Sequence, residues 1–173
     1  MISSIHLIKP SLAYANAIAA FRRELLDAGS DFAGCGPLRG CENAGEWIAA
    51  VLKSETVCPE GGVTASSYIA VRPSDDRIVG ITDFRHSIDH PILSVWGGHI
   101  GYTVRPSERR RGYAKEMLRL NLQNCRDRGV RRVLLVCDSD NIASEKTIVA
   151  NGGALEKEIR VDGTDMKRYW IEL

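Results

Sequence analysis

The stretch Val104-Arg-Pro-Ser-Glu-Arg-Arg-Arg-Gly-Tyr-Ala-Lys115 decides how the rest of the chain is read. An apolar run ends at Val104, a short basic turn follows, and helix-forming residues begin near Gly112. Within the turn stands Arg109-x-x-Gly112-x-Ala114. Two small residues let the backbone bend tightly and come close to a ligand. The first N–H groups of a helix have no partner inside it and carry a partial positive charge. A phosphate or diphosphate is the ligand that such a turn accepts.

Outward from the turn, Gly97 to Val104 reads as the strand that feeds it. The helix beyond carries Ala114, Met117, Leu118, Leu122 and Cys125 on one face and stops at Gly129. Arg132 to Cys137 is a short apolar strand, and Asp140 or Asn141 caps a further helix that Gly152-Gly153 ends. Ala154 to Val161 and Asp165 to Leu173 form a last hairpin around Asp162-Gly163. Toward the N-terminus, Ser67 to Arg72 and Arg77 to Phe84 flank the turn Pro73-Ser-Asp-Asp76, with His86 to Pro91 irregular. Ile5 to Ile8 is a first strand. A helix opens at Pro10-Ser11, repeats Ile18, Phe21 and Leu25, and stops at Gly29. Ser30 to Gly40 and Cys58 to Ala65 are loops around a second helix, Glu42 to Ser54, with Trp47, Ile48, Val51 and Leu52 on one stripe. Trp47 and Trp96 are both expected in the core. The order is β-α-α-β-β-β-α-β-α-β-β. Antiparallel runs precede one β-α-β crossover, which predicts an α/β (α+β) chain on a mixed sheet with helices on its faces.

The 173 residues fit a single domain, 1–173. A formal net charge of +1 gives no global drive toward nucleic acid or an acidic membrane. Basic residues cluster at Arg109 to Arg111 and again at Arg126, Arg128, Arg131 and Arg132, the second group being a solvated helix end. No aromatic stripe accompanies them, against a nucleic-acid partner. No G-x-x-x-x-G-K-[ST] run exists, against a nucleotide kinase. The five cysteines show no metal-ligand rhythm, so no metal is expected; Cys125 and Cys137 sit at apolar positions as small hydrophobes. Reduced thiols, no signal-peptide pattern and no apolar run of ~20 residues point to a cytoplasmic chain without a membrane partner.

The Arg109 motif, set between the fourth strand and the third helix, resembles the signature Gln/Arg-x-x-Gly-x-Gly/Ala of the GNAT superfamily of N-acetyltransferases. Asn141 after the fifth strand and Gly152 eleven residues on match a second feature of that family. Together the matches cover residues 97 to 153. The runs Gly98-His-Ile-Gly-Tyr102, Cys137-Asp-Ser-Asp-Asn-Ile-Ala-Ser144, Asn151-Gly-Gly153 and Arg168-Tyr-Trp-Ile171 are similar to a less-characterised branch with no settled substrate. The resemblance implies a mostly antiparallel central sheet of about seven strands, with strands four and five splayed. It implies acetyl-CoA as acetyl donor and an amine of a small molecule or peptide as acceptor.

It also implies a site. The amides of Arg109, Arg110, Arg111, Gly112, Tyr113, Ala114 and Lys115 would hold the diphosphate, with side-chain charge from Arg110, Arg111 or Lys115 reaching the adenosine phosphate. The strand ending Tyr102-Thr103-Val104 would pair with the pantetheine arm, and Asn141 would bond its amide. Many family members use a Tyr seven residues after that Asn to protonate the leaving thiolate; here the position is Ile148. Ser144 is the nearest replacement. An alkyl ammonium, with a pKa near about 10.4, must lose its proton before attack. His99 is the first candidate for the base, followed by Asp138, Tyr102 and Asp83. Asp31, Glu42, Glu46, Asp83 and Asp89 are candidates for attracting a cationic amine. A catalytically silent CoA-binding module is the competing reading, kept open by Ile148. An edge strand near the C-terminus is free to pair with a second copy as a homodimer.

Overall fold

The computed structural model describes residues 4–173. Its elements follow the expected order. They are β1 (His6–Ile8), α1 (Ala15–Asp27), α2 (Ala44–Lys53), β2 (Ala65–Arg72), β3 (Arg77–Arg85) and β4 (Ile100–Val104). Then come α3 (Tyr113–Asp127), β5 (Arg132–Asp138), α4 (Ile142–Val149), β6 (Ala154–Val161) and β7 (Thr164–Glu172). The α/β architecture carries two antiparallel sheets, ordered β1-β2-β3-β4 and β5-β7-β6.

Helices cover both faces. Ile18, Phe21 and Leu25 of α1 and Trp47, Ile48 and Val51 of α2 pack on Ile69, Val71, Ile78 and Ile81 of β2 and β3. On the opposite face, Tyr113 and Met117 of α3 pack on Ala70 and Val79. Further along α3, Leu118, Leu122 and Cys125 join Ile148 of α4 against Val133, Leu135, Cys137, Tyr169 and Ile171. Helix α3 therefore lies across both sheets and ties them together, its apolar stripe set by the helical repeat. Asp162 and Gly163 both take positive φ, 48° and 86°, as the two-residue turn between β6 and β7 requires.

Strands β4 and β5 are the facing edges of the two sheets and share no ladder. His99 N–H donates to Leu134 O at 2.8 Å, just before β4 starts. Beyond that bond the strands part, so the expected splay divides one sheet into two.

Two expectations are corrected. The fourth strand starts at Ile100 rather than Gly97, because Leu93–Gly97 winds into a π-helical turn and Gly98 takes φ 66°. Trp96 sits on that turn and is 39% exposed, whereas Trp47 is fully buried.

Candidate active site

The turn after β4 is held by ions on its inner side and is open on its outer side. Arg105 is buried, donating to Ile78 O at 2.7 Å and to Glu24 at 2.8 Å. Glu108 is buried too, and meets Arg72 at 2.8 Å, Arg77 at 2.9 Å and Arg111 at 3.1 Å. The hydrogen bond from Arg72, above all, holds its carboxyl below the usual range. Three adjacent arginines thus take three environments. Arg109 donates to Ser30 Oγ at 2.8 Å and to Val104 O at 3.3 Å. Arg111 pairs with Glu108. Arg110 is exposed, at φ 64°, with no ion-pair partner among the described residues.

Gly112 precedes α3 at φ 84° and offers no side chain to cap it. Arg109 N–H is taken by Pro106 O at 3.3 Å, and the helical bonds begin with Glu116 N–H to Gly112 O at 3.2 Å. Between them, the N–H groups of Arg110, Arg111, Gly112, Tyr113, Ala114 and Lys115 have no acceptor among the described residues. Such a row of amides at a helix start is an anion site. Tyr113 offers its amide alone, since its side chain is buried with its hydroxyl accepting from Arg72 at 2.9 Å. Lys115 is exposed.

The gap between β4 and β5 runs from this turn to the His99–Leu134 contact. Unpaired strand edges expose N–H and C=O groups that an extended arm can pair with. Thr103 directs its hydroxyl away, to Ala33 O at 2.7 Å, and Val104 packs in the apolar layer under β4. The Ser30–Gly36 segment crosses β4 where Gly34 lies on Gly101, so close that a side chain at either position would strike the other's backbone.

Two hydroxyls meet across the gap. Tyr102 Oη on β4 and Ser144 Oγ in the first turn of α4 are 2.8 Å apart. Burial pushes the Tyr102 phenol well above its usual range. Ser144 is not bonded back to its own helix. Its N–H instead donates to Asn141 Oδ1 at 3.1 Å, which makes Asn141 the cap of α4. Cys137, buried at the end of β5, brings its thiol beside Ser144, and burial raises its pKa. Glu145, next along α4, accepts from Lys167 at 3.1 Å and from Tyr169 Oη at 2.9 Å, fixing the helix start to β7.

The other candidates stand elsewhere. His99 is buried at the closed end of the gap, where its Nδ1 accepts the Leu134 N–H at 2.9 Å. The neutral ring then carries its proton on Nε2 and offers no acceptor. Burial, and then Arg85, lower its pKa to about 4. Through its ring and its backbone N–H, His99 joins the start of β4 to Leu134 of β5. Asp83 is buried and committed, accepting from Gly101 N–H at 2.8 Å and pairing with Arg85 at 3.2 Å. Asp138 is exposed at the last position of β5, and Asp31, Glu42, Glu46 and Asp89 are exposed as well. Ile148, where a Tyr was looked for, is fully buried. Sequence reasoning passed over the Tyr102–Ser144 pairing, the place of Cys137 beside it, and the Glu145–Lys167–Tyr169 brace. The hydroxyl pair and the brace join positions 42 and 22 to 24 residues apart. Among the described residues no group of His, Cys, Asp and Glu is arranged to hold a metal, and no helix is long and apolar enough to cross a membrane.

Comparison with known proteins bears on the fold and the family. Over 100% of this chain and 97% of the other, the fold matches RimL, a ribosomal L7/L12 alpha-N-protein acetyltransferase solved with coenzyme A, at TM-score 0.71 and 19% identity. The microcin C7 self-immunity acetyltransferase MccE, solved with acetyl-CoA and AMP, matches at TM-score 0.69 and 20% identity, over 98% and 92% of the two chains. Mycobacterium smegmatis RimJ, solved with CoA-disulfide, matches at TM-score 0.68 and 20% identity, over 97% and 81%. At these identities the likeness is one of fold. Curated proteins gave no match. A family model described as "Acetyltransferase (GNAT) domain" matches residues 16–153. The chain belongs to the GNAT acetyltransferases, enzymes whose acetyl donor is acetyl-CoA.

Proposed function

We propose that this acetyltransferase passes the acetyl group directly from acetyl-CoA to a primary amine of a small molecule or peptide. One observation carries the reading: two open strand edges lead from the free amides of Arg110 to Lys115 to the Tyr102–Ser144 hydroxyls. The amides hold the diphosphate, with charge added by Arg110 and Lys115. The edge at Tyr102, Thr103 and Val104 takes the pantetheine arm as a further strand, and Asn141 meets its amide. The thioester sulfur then lies at Ser144.

Acetyl transfer needs a neutral amine, and an alkyl amine is protonated near pH 7 because its pKa is about 10.4. Asp138, exposed at the end of β5, takes that proton through water. His99 holds the two strands together at the point where they part. The sulfur leaves as a thiolate and is stabilised by the Ser144 hydroxyl. Exposed Asp31, Glu42, Glu46 and Asp89 favour a cationic acceptor. The five free thiols fit a cytoplasmic location.

The test is coenzyme release, followed with a thiol reagent, over a panel of small amines and peptide N-termini, beside calorimetry with CoA. Turnover on any primary amine supports the proposal. Tight CoA binding with no turnover on the whole panel supports instead a silent CoA-binding module, which buried Ile148 favours.

A further inference from the structure

The hydroxyl pair has a polarity, and that polarity bears on catalysis. Tyr102 and Ser144 are 42 residues apart, and their oxygens meet at 2.8 Å with either able to donate. A phenol is ordinarily a stronger acid than an alcohol, which favours the Tyr102 O–H as the donor to Ser144. The Ser144 oxygen is then engaged as acceptor, and its own proton must point elsewhere. The Ser144 N–H is fixed by Asn141, and the start of α4 is pinned by Glu145 to Lys167 and Tyr169. The hydroxyl therefore swings on a stationary backbone. No tyrosine could replace Ile148 without disturbing a packed position, since Ile148 is fully buried and touches Gly153.

We propose that Tyr102 is a positioning residue for acetyl transfer: by donating to Ser144 it turns the Ser144 hydroxyl toward the leaving sulfur. The proposal rests on the acetyl-CoA reading of the gap. In the transfer, the amine nitrogen bonds to the thioester carbon and the C–S bond breaks. The sulfur leaves with the electron pair, and the Ser144 hydrogen bond stabilises that charge. The proton shed by the new amide nitrogen, carried by solvent, restores the thiol. With no phenol at position 102, the Ser144 hydroxyl is free to bond back to a carbonyl of the preceding turn, as helical serines do.

The experiment is steady-state kinetics on Tyr102→Phe, Ser144→Ala and the double variant, with thermal melting as a check on folding. Tyr102→Phe is expected to lower kcat about tenfold, less than the roughly 10²–10⁴-fold of a direct acid or base because Tyr102 acts through Ser144, with the KM for acetyl-CoA unchanged within about twofold. The double variant should be no slower than Ser144→Ala, because Tyr102 acts through Ser144. An unchanged kcat in Tyr102→Phe, a change confined to KM, or multiplying losses in the double variant would each overturn the proposal. If Tyr102→Phe does not fold, Tyr102→Leu repeats the loss of the hydroxyl under the same criteria. Failure of the wild-type chain to bind CoA would remove the underlying reading, whereas normal turnover with an indifferent Tyr102→Phe removes this inference alone.

Discussion

The turn before α3 and the gap that runs from it between β4 and β5 adjoin one another, yet they are held in different ways. The turn is a charged clamp, with buried Glu108 gathering Arg72, Arg77 and Arg111 and with Arg105 pinned to Glu24. The groups that face each other across the gap are uncharged, namely the His99 ring on Leu134, two hydroxyls, and a cap from Asn141, and the Glu145–Lys167 and Asp83–Arg85 pairs stand behind them. A diphosphate brings its own charge and needs a rigid frame of amides. A thioester carries no net charge, and fixed ions beside it would favour neither its approach nor the neutral amine. Changes at the turn should therefore alter stability and donor affinity, and changes at the gap should alter turnover.

The largest expected effect tests the clamp. Glu108→Gln removes the one carboxylate shared by three guanidinium groups. Arg72 keeps Asp75, but three guanidinium groups lose their charged contact with a buried carboxyl, at a cost of about 3 kcal/mol. Urea unfolding should register that loss, and calorimetry should show weaker CoA binding as the turn loosens. A variant that keeps its stability and its affinity would show the turn to be held by backbone alone and would erase the contrast with the gap.

The two regions also differ in how far they can be read from sequence. The turn is local: strand, small residues and helix start lie within Val104 to Lys115, and an anion site follows from helix geometry. The division of labour among Arg109, Arg110 and Arg111 is not local. It is set by Ser30, Val104 and Glu108, and through Glu108 by Arg72 and Arg77. The gap is hardly legible at all. Cys137 reads as a small hydrophobe because its alternation is apolar, and only the packing of α4 on β5 brings it to Ser144. His99 reads as a base because its reference pKa suits one, and only the strand beside it takes up its Nδ1. The π-helical turn at Leu93–Gly97 escapes too, since nothing in its spacing separates it from a strand entry.

The next effect isolates His99. Its folded pKa, about 4, lies below the ordinary 6.5, so the unfolded chain takes up the proton first as pH falls. The stability His99 confers is complete above pH 6.5 and is lost as the pH falls through 4. The full loss is at most about 3 kcal/mol at 1.36 kcal/mol per unit. His86, also lowered to about 4 by burial and then by Arg128, adds a slope of the same sign. Urea unfolding between pH 7 and 5 should show stability falling with acid, and His99→Phe should remove His99's share of the slope. A clasp also predicts that the acid limb of kcat/KM in the wild-type enzyme does not depend on His99. If that limb disappears in His99→Phe while the stability slope stays, the histidine belongs to the chemistry and the gap is not the uncharged region described above.

The smallest effect has opposite signs in two measurements. Arg110 sits at φ 64°, a conformation in which glycine is at ease and an L side chain is strained. Relieving it with Arg110→Gly should stabilise the fold, by about 1 kcal/mol for a non-glycine residue in the left-handed region, less the cost of a more flexible unfolded chain. No ion pair is lost, because Arg110 has none among the described residues. The same change removes one of the two cations beside the free amides, with Lys115, that no ion pair among the described residues commits to the frame. The KM for acetyl-CoA should rise about threefold to tenfold, the scale of one exposed charge on a phosphate, and the rise should shrink at high salt. Arg111→Gln, by contrast, should cost stability through Glu108 and move donor affinity less. If Arg110→Gly is stabilising and leaves the KM unmoved, the strain at position 110 serves no ligand, and the amides alone account for diphosphate binding.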